Sequence, residues 1–168
     1  MEKELRKRQS HLMQAAAGVI LFAAWRVISV NLYLGFGTIQ LEMIQKAAAE
    51  IGLNEKFFLF FLIALVAGVL LWQLSIRMYI GLSATAEGKG KPKGWLYLAV
   101  TAVVMAAELQ LSWSSFGIDR ILAGETVEVN AIVNTIISFF MELASAYVLL
   151  ELLISGVRVK LLRKKMKE

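Results

Sequence analysis

The chain has no cysteine, one proline, one histidine and one aspartate among its 168 residues. Without cysteine there is no disulfide, no thiolate nucleophile and no cysteine-ligated metal. With His11 as the single histidine, the Glu-x-x-His pattern of helical di-metal centres is missing. With Asp119 as the single aspartate, a membrane peptidase built on an aspartate pair is excluded. No phosphate-binding loop, HExxH, EF-hand loop or nucleophile motif is present. These absences predict a protein that is not an enzyme and that holds neither metal nor cofactor. His11, alone at the start of an apolar run, reads as an interface residue rather than a ligand.

What the chain has in abundance is apolar sequence. It is 58% hydrophobic, with a mean hydropathy of +0.66, against roughly 45–50% for a soluble domain. The excess falls in four blocks, which predict an integral membrane protein with spans at residues 12–34, 57–82, 95–113 and 131–157. Each is long enough to cross a hydrocarbon core of roughly 30 Å. Lipid offers the backbone no hydrogen bonds, so runs of this length must be helices. The expected fold is an all-α four-helix bundle, one transmembrane domain filling the chain. Asn54 suits the cap of the second span, Pro92 the start of the third, and Asn130 that of the fourth. Gly35-Phe36-Gly37 reads as a stop for the first.

The net charge of +5 raises the question of a nucleic-acid partner. Distribution argues against one. Residues 1–11, 87–94 and 158–168 hold 13 of the 18 basic residues. The connections after the first and third spans hold only Lys46, Lys56 and Arg120, against six acids. The positive-inside rule then places both termini in the cytoplasm, with the plasma membrane as the expected location. Residues 38–50 carry Ile39, Met43, Ile44 and Ala47 at helical spacing, which predicts a short amphipathic helix in the first outer loop. Residues 118–122 suggest a helical turn and 126–129 an extended segment. The basic end, with Arg158, Lys160, Arg163, Lys164 and Lys165, continues the last span and either offers a partner to anionic lipid or serves as a stop-transfer flank that only sets topology.

Five ionisable side chains lie inside the apolar blocks, with their signs segregated. Arg26 and Arg77 are in the first two, Glu108, Glu142 and Glu151 in the last two. A charge at the centre of a span costs about 2.5–3.5 kcal/mol, so each needs a reason to be there. At about 1.5 Å per residue, Arg26 and Glu108 come out level in the outer half, and Arg77 and Glu151 level at the inner edge. The expected pairs are therefore Arg26 with Glu108 and Arg77 with Glu151, with snorkelling to the headgroups as the alternative for the second. Glu142 has no arginine at its depth. With Asn134, Ser138 and Ser145 on its face, it is the candidate protonatable or ligand site.

These features predict a small multi-pass membrane protein serving as a non-enzymatic accessory or assembly subunit, associated with another membrane protein or with itself. The alternative is a small ion- or proton-coupled transporter or channel using the buried arginines and glutamates.

Overall fold

The computed structural model describes residues 1–36, 41–52, 54–115 and 129–166, with side chains for 1–30, 46–52, 54–110 and 136–166. Among the described residues the chain is helical and has no strand. The helices are α1 (Glu2–Phe36), α2 (Leu41–Ile51), α3 (Glu55–Gly88), α4 (Leu96–Ser115) and α5 (Val129–Lys165). Three of them hold stretches long and apolar enough to cross a membrane: Glu2–Val30, Glu55–Gly88 and Ile136–Lys165. A fourth, shorter apolar stretch is Leu96–Gln110 within α4.

Local chemistry accounts for most helix ends. The Asn54 side chain accepts a hydrogen bond from the Lys56 amide at 3.0 Å, capping α3 as its sequence suggests. At the other end of α3, the Gly90 amide bonds the Glu87 carbonyl and the Lys91 amide bonds the Ala86 carbonyl. This paired closure needs a left-handed residue, which Gly90 supplies with φ 91°. The short helix expected in the first connection is present as α2. Other ends differ from expectation. α1 begins ten residues before the apolar run, because its charged N-terminal residues are good helix formers. Pro92 does not open α4. The backbone stays irregular until Leu96, and the Trp95 carbonyl takes the first helical bonds, from the Leu98 and Ala99 amides. α5 starts at Val129, which was expected to be extended and to precede a cap at Asn130. The turn expected at residues 118–122 lies outside the described residues.

The chain divides into two compact units. One comprises Leu21–Met78: the second half of α1, α2 and most of α3. The other comprises Met1–Ile20 and Tyr79–Glu168, and therefore the first part of α1, the end of α3, and α4 and α5.

The second of these units has the larger core. Its buried positions recur at alternating spacings of three and four: Leu12, Ala16 and Val19 on α1, and Ile80, Ala84 and Glu87 on α3. On α5 they are Ser145, Leu149, Leu152, Gly156 and Val159. This is the seam of helices packed at shallow angles. Small residues let the backbones approach. A Cβ on Gly81 would stand 3.1 Å from the Ala16 carbonyl oxygen of α1, and one on Gly156 would stand 2.6 Å from Leu98 and 2.9 Å from the Tyr97 hydroxyl of α4.

Gly156→Leu is accordingly expected to force α4 and α5 apart and to cost about 1–3 kcal/mol. Gly68→Ala, where the added methyl meets nothing within 4 Å, is expected to be neutral or to stabilise by up to about 1 kcal/mol through helix propensity. Thermal unfolding in detergent separates the two. Equal behaviour would contradict the close α4–α5 approach.

Candidate functional site

A dense polar constellation gathers at one end of the larger unit, around Glu87. This residue lies in the last turn of α3, on the same seam as Ile80 and Ala84, and is 1% exposed. Its carboxylate meets two cations of α5: Lys160 Nζ at 3.1 Å from Oε2, and Arg163 Nη1 at 3.6 Å from Oε1. Arg163 Nη2 also donates to the Glu87 carbonyl at 2.8 Å, a second bond on an oxygen that already accepts from the Gly90 amide at the end of α3. Lys160 donates to the Lys93 carbonyl and stands over the rings of Trp95 and Tyr97, 5.3 and 5.4 Å from their centroids. The buried Tyr97 hydroxyl faces the same carboxylate. Glu87, the α3–α4 connection and the end of α5 thus form one clamp. Met13 of α1 packs where a Cβ on Gly88 would be. The basic N-terminal stretch therefore reaches the same end of the unit.

Hydropathy alone assigns Glu87 to a loop and Lys160 and Arg163 to a lipid-facing tail. The signal for the clamp is the seam itself. Ile80 and Ala84 continue to Glu87, and Gly156 and Val159 continue to Arg163, at the same three-and-four spacing. With Lys160 and Arg163 turned inward, the set expected to meet lipid reduces to Arg158, Lys164 and Lys165.

The charges within the apolar blocks are placed as follows. In the smaller unit, Arg26 and the buried Arg77 line one shallow recess with Ala23, Val27, Leu70, Gln73 and Leu74. Arg26 Nη1 donates to Gln73 Oε1 at a long 3.5 Å. The recess is too narrow for a water molecule. Arg77, 3% exposed, is covered by protein, so snorkelling does not describe it. In the larger unit, buried Glu108 accepts a hydrogen bond from the buried Ser145 hydroxyl of α5 at 3.0 Å. Ser145, expected on the face of Glu142, thus also reaches Glu108. Thr101, expected beside Glu108, donates to the Tyr97 carbonyl of its own helix instead. Glu151 is half-exposed and lies 3.5 Å from Nδ1 of His11, a contact between α5 and α1. Glu142 is part-exposed and takes part in a polar interaction, and Ser138 is exposed. The Asn134 side chain lies outside the described residues. Among the described residues, no three acidic or imidazole groups gather as a metal site would require.

No protein-family model, characterised protein or solved structure matches the chain.

Two energetic expectations follow from this geometry. Removing one partner of a buried ion pair costs about 3–5 kcal/mol. The partners Lys160 and Arg163 keep 10% and 19% of their side-chain exposure, so Glu87→Ala is expected to fall at or below the low end, about 2–3 kcal/mol. The released α5 end should also be cut faster by trypsin at Lys164 and Lys165. Wild-type stability and cleavage rate in the variant would refute the clamp. By contrast, the half-exposed His11–Glu151 contact is worth at most about 1 kcal/mol, so His11→Ala should shift the unfolding midpoint little.

Proposed function

We propose that the chain is a four-span membrane protein with both termini cytoplasmic, acting as a non-enzymatic accessory or assembly subunit of a membrane complex. The topology is supported by the shared end of the larger unit. The N-terminal stretch, the α3–α4 connection and the end of α5 carry 13 of the 18 basic residues, and contacts from Met13, Lys160 and Arg163 bring all three to one place. Positive charge gathered on one side is what the cytoplasmic face of a membrane protein requires. The Leu96–Gln110 stretch then belongs to the third crossing, since the 20 residues of α4 reach about 30 Å.

The observation that carries the subunit reading is α3. No residue of its most apolar window is buried. Phe57, Phe60, Phe61, Ile63, Leu65, Leu71 and Trp72 are all exposed, and their numbers spread them over more than half of the helix circumference, away from the face of Leu70, Gln73 and Arg77. Large aromatic side chains are enriched where proteins meet one another. A helix this bare suits a protein that packs against a second membrane chain. The transporter alternative is less well served, because the recess between Arg26 and Arg77 gives no room for a solute.

Photo-crosslinking tests the reading. A benzophenone side chain at Phe61 should trap a protein adduct in native membranes, and the tagged chain should bring the same protein down in mild detergent. Lipid adducts alone, with no co-purifying chain, would overturn it. The pairing of Arg26 with Glu108 remains part of the proposal. Arg26→Glu combined with Glu108→Arg should restore the membrane level that either change alone lowers. A double variant no better than the singles would remove the pair.

A further inference from the structure

The end of α5 presents two faces with different chemistry. About the helix axis, Gly156, Val159, Lys160 and Arg163 turn to the clamp and are buried or part-buried. Ile154, Arg158, Leu161 and Lys165 follow one another at spacings of four, three and four on the opposite side, and all are exposed. Along this outward stripe the character changes in one direction. Ile154 is apolar, Arg158 and Leu161 mix charge with hydrocarbon, and Lys165, flanked by exposed Lys164, is basic. Trp95 and Leu96, at the start of α4, are also exposed and lie at the same end, where Lys160 covers the Trp95 ring.

We infer that this outward stripe seats the headgroups of anionic phospholipid in the leaflet from which α5 emerges. Exposed acid is scarce at this end: Glu2 and Glu4 are the exposed acids described there, and Glu2 is engaged by Arg6. Among the described residues the acid on this stripe, Glu151, lies seven residues before Arg158 and is engaged by His11, so Arg158 and Lys165 have no described acid within one helical turn along the stripe. Leu161, between them, supplies the hydrocarbon that a purely solvated basic tail would lack. An apolar-to-basic gradient along one helical face matches the passage from acyl chain to phosphate, and an indole at the same level suits the interfacial zone. Cations at a membrane surface attract anionic lipid, by about fivefold per Lys or Arg when the charge lies near the surface. The clamp sets the specificity of this surface by removing Lys160 and Arg163 from it and fixing the rotation of the stripe. The inference rests on the chain being a membrane protein and is independent of whether it is a subunit or a transporter.

The experiment uses the full chain in phosphatidylcholine vesicles containing a minority of phosphatidylglycerol. Spin-labelled forms of the two lipids report their relative association with the protein. Wild type is expected to prefer phosphatidylglycerol by about threefold or more at low salt, with the preference falling at high salt. Arg158→Gln with Lys165→Gln should lose most of it. Arg158→Lys with Lys165→Arg, which keeps both charges, should retain it. No preference in wild type, or an undiminished one in the glutamine variant, overturns the inference. Alkaline extraction of the same vesicles separates the two failures. A chain that stays with the bilayer but shows no lipid preference refutes the stripe alone, whereas a chain that is extracted refutes the membrane reading itself.

Discussion

A carboxylate buried in the last turn of α3 sets the terms for the rest of the larger unit. The position is electrostatically adverse twice over. Burial strips Glu87 of water, and the C-terminal end of a helix already carries partial negative charge. The dipole term is about 0.3–1 kcal/mol, while an uncompensated buried charge costs several. Compensation must therefore come from full charges rather than from dipoles. Lys160 and Arg163 supply them, and Arg163 addresses both difficulties by binding the carboxylate and a terminal carbonyl together. Everything that holds this geometry follows from it. The turn at Gly90 ends α3 at the required point, the irregular stretch to Trp95 brings a carbonyl and two rings to Lys160, and Gly156 lets α5 lie close enough for the cations to reach.

Elsewhere in the apolar helices, polar groups are handled more locally. The hydroxyls of Ser75, Thr85 and Thr101 bond carbonyls four residues back on their own helices. Such bonds satisfy a hydroxyl without specifying any neighbour. Ser145 to Glu108 and Arg26 to Gln73 are different in kind, since each ties one helix to another. Side chains that reach across fix rotation in a way that apolar packing alone does not.

Much of this could be read from the chain, and the misreadings share a cause. Helices, their rough spans and the Asn54 cap follow from hydropathy and cap chemistry, which are local. Pro92 and Glu87 were misplaced by the same local logic. Proline is compatible with a helix start but does not compel one, and a charged residue at the end of an apolar run is assigned to solvent by default. Depth counting places Arg77 level with Glu151, but depth carries no information on rotation about the helix axis. That Glu151 meets His11, and that Arg77 lines a recess with Arg26 within their own unit, are contacts that depth alone does not encode. A three-and-four spacing does encode rotation. Extended one step beyond the apolar residues, it passes through both Glu87 and Arg163.

The clamp also changes the meaning of the basic segments. Positive charge directs topology while the chain is being inserted, before the helices have packed, and any cation on the correct side serves. Packing imposes a stricter demand. Glu87 precedes α4 and Lys160 lies near the end of α5, so their contact requires the chain to return to the side it left. With α5 inserted in the opposite sense, its cations would stand about 30 Å away across the hydrocarbon core, and Glu87 would be left uncompensated. In the proposed topology the same two cations would act first as generic topology signals and then as specific partners satisfied in that topology only.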